Sequence, residues 1–238
     1  MNPPHNKLTG RKYSSQPSVG IPLALEILED KDAHRNDILS ATCYLGYRAL
    51  DGTYSDTDYI WEKIQYCRNW SLTIAPPDND WFRTRWVVSY LILSIYFRIY
   101  VRKEPIPLDL ITEICDPKYA ISHPPQFVNI LRGCALGAAN EIFSKNTEGM
   151  QKYLSIGIDC YKKSVSNYII NPERPDHIVY ESGEAVEALN VILELKYADP
   201  KTYPKFIESK WYSKSTQESR GPFYKCLIGI YNLNLGKK

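Results

Sequence analysis

The sequence predicts an all-α protein with about eight to ten helices. Apolar residues recur every three or four positions in almost every patterned segment, and no alternating run flanked by hairpin turns occurs. A chain of 238 residues can bury a core without disulfides or metal ions. We expect successive antiparallel helical hairpins around a buried central helix. The first helices of successive hairpins start roughly 40 to 60 residues apart. This spacing is near that of some helical-repeat proteins, so an irregular solenoid-like stack is an alternative arrangement.

The central helix is predicted from the apolar and aromatic run between Trp86 and Val101. A helix that is hydrophobic on nearly every side is either buried in protein or lies in a membrane. A bilayer span needs about 20 predominantly apolar residues, and this shorter run contains Arg98. A charge at the middle of a span costs roughly 2.5 to 3.5 kcal/mol. We therefore predict a buried helix at about 80–103 and consider membrane contact of 86–101 the weaker alternative.

The other helices are assigned from their apolar periodicity and from the prolines and glycines that separate them. The segment 1–20 contains basic but no acidic residues. We predict that it is a disordered N-terminal lead, followed by a helical domain at 21–238. The segment 171–176 contains two prolines and indicates an exposed loop or a sub-boundary. The remaining helices are expected near residues 38–49, 58–67, 108–114, 125–144, 150–168, 183–197, 203–213 and 221–234.

Small residues recur on the helix expected at 125–144, where Gly133 and Gly137 form a G-x-x-x-G pattern. Small side chains allow two helix backbones to approach closely. We expect this face to pack against the central aromatic helix.

Charge and cysteine content exclude some functional classes. The chain has 29 basic and 27 acidic residues, and three of the basic ones lie in the first 20 positions. The nearly neutral remainder lacks the broad basic surface of a nucleic-acid-binding protein. Six cysteines without a C-x-x-C pair, and no apolar segment typical of a signal peptide, favour a cytoplasmic protein with reduced thiols.

No common catalytic signature occurs in the chain. The metalloprotease H-E-x-x-H, the hydrolase G-x-S-x-G, the P-loop and the dinucleotide-binding G-x-G-x-x-G are all absent. We therefore assign no cofactor and no metal, and the prediction favours a protein without enzymatic activity.

Three groups of residues remain as candidate sites. Glu181 and Glu184 lie one helical turn apart near His177, so they could hold a cation or share a proton, although acids at a helix start have a simpler electrostatic explanation. Trp81, Arg83 and Arg85 could bind an anionic group at the start of the central helix.

The third group is Trp211 and Tyr212, the large apolar residues of a polar segment. They are expected either to contact a partner or to cap the last hairpin.

These observations lead to two hypotheses for function. The first is a helical module that binds and occludes another protein, as an adaptor, an inhibitor or an immunity-type protein does. The alternative is a metal-dependent or acid/base enzyme that acts on a small anionic substrate. It would use Glu181, Glu184 and His177, with Arg83 or Arg85 holding the substrate.

Overall fold

The computed structural model describes the backbone of residues 16–73, 80–119, 124–170, 175–216 and 221–235. Within these ranges it describes every side chain except those at 80–83, 124–126, 164–170, 175–183 and 185. The described backbone is helical and contains no β-strand, which confirms the predicted all-α class.

The helices in chain order are α1 (Pro17–Glu29), α2 (Arg35–Leu50), α3 (Thr57–Leu72), α4 (Asp80–Tyr96), α5 (Leu108–Ile114), α6 (Pro124–Phe143), α7 (Thr147–Ile170), α8 (Pro175–Tyr197), α9 (Tyr203–Ile207), α10 (Ser213–Ser215) and α11 (Gly221–Asn234). A π-helix at Phe97–Val101 continues α4, and a second π-helix at Glu208–Tyr212 joins α9 to α10. We refer to α9, this second π-helix and α10 together as the 203–215 segment.

Helix α1 begins inside the predicted disordered lead. Pro17 occupies its first turn, where the missing N–H of proline costs no helical hydrogen bond and the fixed φ favours helix initiation. Gly20 is already buried. The expectation of disorder is therefore wrong for residues 17–20, and residues 1–15 lie outside the described part of the chain.

The chain contacts divide it into two compact units between Ile74 and Ala75. In the first unit, α2 packs against both α1 and α3 around a core that includes Leu45 and Ile64. The sub-boundary expected at 171–176 lies inside the second unit, because α8 packs against both α6 and α7 across it. Helix α8 also begins at Pro175, eight residues before its predicted start near 183.

Helix α4 is the buried helix that the aromatic run predicts. All residues from Trp86 to Phe97 are buried except Ser89, which is half-buried. No helix in the described part of the chain is long and apolar enough to cross a bilayer. Helix α6 nevertheless has more neighbours, since it packs against α4, α5, α7, α8 and α11.

The glycines of α6 face other helices than predicted. A Cβ built at Gly133 would lie 2.5 Å from Ile114 of α5, and one at Gly137 would lie 2.7 to 2.8 Å from the Tyr153 ring of α7. The close approaches at these two positions are therefore to α5 and α7 rather than to α4.

We expect Gly137→Ala to lower the free energy of unfolding by about 1 to 3 kcal/mol, because the new methyl group would overlap a packed aromatic ring. Gly157→Ala is the matched control, since its Cβ would meet the mobile end of Leu189 at 3.1 Å. The free energy of unfolding of this control should stay within about 1 kcal/mol of that of the parent, because alanine has a higher helix propensity than glycine. Urea unfolding measures both, and equal losses would contradict the placement of Gly137 against Tyr153.

None of the six cysteines is in a disulfide, and five of them are buried while Cys43 is half-buried. Cys115 and Cys134 lie in contact, with 3.5 Å between their Sγ atoms. The hydrogen bond between the two thiols and burial raise the pKa of Cys134 well above its ordinary value. Burial raises the pKa of Cys160 to about 12.

Alkylation by iodoacetamide at pH 8 should therefore modify Cys43 first in the native protein. The thiolate is the reacting species, so buried thiols with raised pKa values should react only after unfolding in urea. Intact mass and peptide mapping give the readout. Native-state modification of Cys160 as fast as that of Cys43 would contradict its burial.

Candidate functional site

Glu184 of the predicted carboxylate group forms a buried ion pair. Its Oε2 accepts a hydrogen bond of 2.6 Å from Nη2 of Arg132 on α6, and the two side chains are only 10% and 11% exposed. The Arg132 guanidinium also lies 5.9 Å from the ring centroid of Phe223. Glu184 thus attaches α8 to α6. The side chains of Glu181 and His177 lie outside the described residues, and nowhere among the described residues do three His, Cys, Asp or Glu side chains gather as metal ligands.

Of the predicted anion-binding group, the structure describes one side chain, that of Arg85. Arg85 is exposed, and its guanidinium carbon lies 5.4 Å from the ring centroid of the neighbouring Trp86, which is buried. The side chains of Trp81 and Arg83 lie outside the described part. Arg85 therefore stacks on a residue that the sequence assigned to the core.

Trp211 and Tyr212 have opposite environments. Trp211 is 1% exposed and packs edge-on against Phe206, whereas Tyr212 is 49% exposed. Of the two alternatives expected for this group, the burial of Trp211 fits packing within the hairpin, and Tyr212 is left as the exposed aromatic. The two residues lie in the Glu208–Tyr212 π-helix, whose wider turn brings residues five apart together. Phe206 and Trp211 are five residues apart, so the α-helical period of 3.6 does not identify them as neighbours.

A polar cleft of about 300 Å³ lies between α8 and the 203–215 segment. Helix α8 supplies one wall, and the π-helix with α10 supplies the other. A π-turn inside an α-helix frequently marks a functional site, because it changes which side chains face a neighbouring element. We call this the α8 cleft; its lining residues are Val186, Glu187, Asn190, Val191, Glu194, Lys210, Trp211, Lys214 and Tyr224.

Three polar side chains from three helices meet in the α8 cleft. Glu187 Oε1 accepts hydrogen bonds from Lys214 Nζ at 2.8 Å and from the Tyr224 hydroxyl at 2.6 Å. Lys214 Nζ also donates to the Tyr224 hydroxyl oxygen at 3.3 Å. Tyr224 is fully buried, so its hydroxyl needs this partner. The arrangement ties α8, α10 and α11 together.

A second ion pair lies nearer the solvent. Lys210 Nζ donates to Glu194 Oε1 at 3.0 Å, with side chains that are 50% and 39% exposed. An exposed pair of this kind contributes about 0 to 1 kcal/mol. Either residue can therefore exchange its partner for a charged group of another molecule at little cost in stability. The Glu187 arrangement differs in this respect, because it includes a buried hydroxyl.

The outer face of α8 carries exposed apolar residues. Val186, Leu193 and Tyr197 are 38%, 40% and 78% exposed. Intervals of seven and four residues place them on one face of the helix. We call these three residues the α8 stripe; Val186 also lines the α8 cleft.

The end of α8 and the chain that follows it are rich in lysine. Residues 196–214 contain five lysines but only two acidic residues, Asp199 and Glu208. Sequence reasoning missed both the stripe and the cleft. The spacing of Glu181, Glu184 and Glu187 marks α8 as unusual, but nothing local to it indicates Lys214 or Tyr224, which come from later helices.

Removal of Arg132 should destabilise the protein strongly. Arg132→Met leaves the Glu184 carboxylate buried without its cation, and we expect a loss of about 3 kcal/mol in the free energy of unfolding. The double variant Arg132→Met/Glu184→Met should recover most of this loss, since no unpaired charge remains. Lys210→Met, at the exposed pair, should cost about 1 kcal/mol or less. Urea unfolding that gives equal losses for Arg132→Met and Lys210→Met would show that the Arg132 pair is not buried.

Comparison with known proteins gives no family assignment. No family model, no curated protein sequence and no solved structure matches the chain. Function is therefore inferred from the cleft, the stripe and the charges around them.

Proposed function

We propose that the chain is a non-enzymatic helical module that binds another protein through the α8 stripe. The observation that carries this proposal is the exposure of Val186, Leu193 and Tyr197 on one face of one helix. Single exposed apolar residues are ordinary, whereas an aligned set favours a contact surface. Tyr197, at 78% exposure, supplies an amphipathic aromatic ring of the kind enriched in binding surfaces.

The partner that fits this surface is an acidic amphipathic helix. The stripe spans twelve residues of α8, and its eleven steps of about 1.5 Å give a length of roughly 16 Å, which is about three turns of a helix laid alongside it. A partner helix would place apolar residues at i, i+4 and i+7 against the stripe. Its acidic residues would then face the lysines of residues 196–214, where charge complementarity favours association.

The exposed Lys210–Glu194 pair supports such an interface. Its small contribution to stability lets Lys210 turn to a carboxylate of the partner without a large loss in the free protein. Because binding would cover the partner's apolar face, the expected mechanism is occlusion, as in an adaptor, an inhibitor or an immunity-type protein. Six thiols without a disulfide favour action in the reducing cytoplasm.

The enzyme alternative receives less support from the described residues. Glu184 would have to act as a metal ligand or as an acid/base group, but its carboxylate is neutralised by Arg132 in a nearly buried pair. A carboxylate held in this way contributes to packing of α8 on α6 rather than to an open site.

A synthetic amphipathic helix tests the proposal directly. The probe is a fluorescently labelled peptide of roughly 18 residues, about five turns, with Leu on one face and Glu on the other. We expect saturable binding by fluorescence anisotropy and at least a tenfold loss with Leu193→Asp, which corresponds to about 1.4 kcal/mol.

Leu108→Asp is the matched control, because Leu108 is 46% exposed on α5 and Leu193 is 40% exposed on α8. The control should bind the peptide as the parent does. A second peptide with Lys in place of Glu should bind at least tenfold more weakly. The proposal fails if the Glu peptide does not bind, or if Leu108→Asp and Leu193→Asp weaken binding equally.

A further inference from the structure

An asparagine lies in the middle of the α8 stripe. Asn190 is exposed, as are the three apolar residues of the stripe. The four residues follow one another at intervals of four, three and four, which are the intervals between the d and a positions of a coiled-coil heptad. We call this row the α8 seam; its residues are Val186, Asn190, Leu193 and Tyr197. Val186 and Leu193 take d positions, and Asn190 and Tyr197 take a positions.

The α8 seam is separate from the face by which α8 packs into the second unit. That inner face consists of buried apolar residues at heptad positions b, c and f, namely Ala188, Val191, Ile192 and Leu195. A surface helix that packs on one side needs one apolar stripe. The exposed row is a second one, and it has the spacing with which one helix packs along another.

The amide of Asn190 changes its environment when a helix covers the α8 seam. In the free protein the side chain is exposed, so water solvates it. An apolar partner side chain would remove that water and leave the amide without hydrogen bonds, which is costly. A partner amide at the same place would restore the hydrogen bonds, since Asn and Gln both donate and accept. A single Asn at an a position specifies register in coiled coils.

A second copy of this chain fits the α8 seam poorly. In a parallel pair of α8 helices, Asn190 would face its equivalent, but the lysine-rich segments 196–214 of both copies would meet at the same end. In an antiparallel pair, a positions face d positions, so Asn190 would face Leu193 and lack a hydrogen-bonding partner. An acidic helix from another protein avoids both problems, because its carboxylates complement the lysines and its sequence can supply an amide.

We propose that Asn190 selects the register of the acidic partner helix by hydrogen bonding to an Asn or Gln side chain in the apolar face of that helix. This inference rests on the peptide-binding function proposed for the α8 stripe. It adds a requirement on the partner, which is one amide within an otherwise apolar row. Asn190 also lines the α8 cleft together with Glu194 and Lys210, so the amide lies between the apolar row and the exposed ion pair.

A double-mutant cycle between the protein and a synthetic peptide tests this role. The peptides are the fluorescent Leu/Glu helix described above and two derivatives in which one central Leu, at an a or at a d position, is replaced by Asn. Fluorescence anisotropy measures their binding to the parent protein and to Asn190→Leu. We expect one Asn peptide to prefer the parent and the all-Leu peptide to prefer Asn190→Leu. The coupling in this cycle should be at least tenfold, which corresponds to about 1.4 kcal/mol.

Asn69→Leu is the matched control, because Asn69 is an exposed asparagine of α3, and this variant should bind every peptide as the parent does. Binding of the peptides without coupling would overturn the role of Asn190 and leave the α8 stripe as the binding surface. Absence of binding by every peptide would overturn both proposals. Dimerisation of the parent in sedimentation velocity that Asn190→Leu changes would assign the α8 seam to a second copy and would also overturn the inference.

Discussion

Close packing around α6 is the constraint on which the second unit depends. Every residue from Gly133 to Asn140 is buried, and five helices pack against α6. Such crowding requires small side chains, since a Cβ at Gly137 would already overlap the Tyr153 ring. Glycine is therefore placed where neighbouring helices come closest to α6, at Ile114 and at Tyr153.

The position of α8 on α6 determines which of its side chains are available for binding. Glu184 faces Arg132 and is held in a nearly buried pair, and Glu187 is held by Lys214 and Tyr224. With these polar groups directed to neighbouring helices, Val186, Leu193 and Tyr197 are left on the exposed face. Helix α8 buries Ala188, Val191, Ile192 and Leu195 as an amphipathic helix does, yet it also leaves the three residues of the α8 stripe exposed. That exposed apolar set is the main physical support for the α8 stripe as a binding surface.

Helix α11 links the two π-helices of the second unit. Both π-helices pack against it, and Gly229 allows Ile99 of the first π-helix to approach closely, since a Cβ there would lie 2.8 Å from Ile99. Tyr224 of α11 completes the α8 cleft, while the adjacent Lys225 reaches the Tyr100 ring of the first π-helix. Consecutive residues of one helix thus contact two different elements, because successive side chains on a helix point about 100° apart.

The sequence by itself determined the all-α class, the burial of α4 and the approximate limits of most helices, because apolar periodicity and helix terminators are local features. It could not determine that Gly137 meets Tyr153, that Glu184 pairs with Arg132, or that Trp211 is buried against Phe206. Those contacts join residues distant in the chain, or depend on a π-turn whose period differs from 3.6. Only the tertiary structure decided which carboxylates are neutralised and which apolar residues stay exposed. Both outcomes depend on how α6, α8 and α11 pack together, and no local pattern encodes that packing.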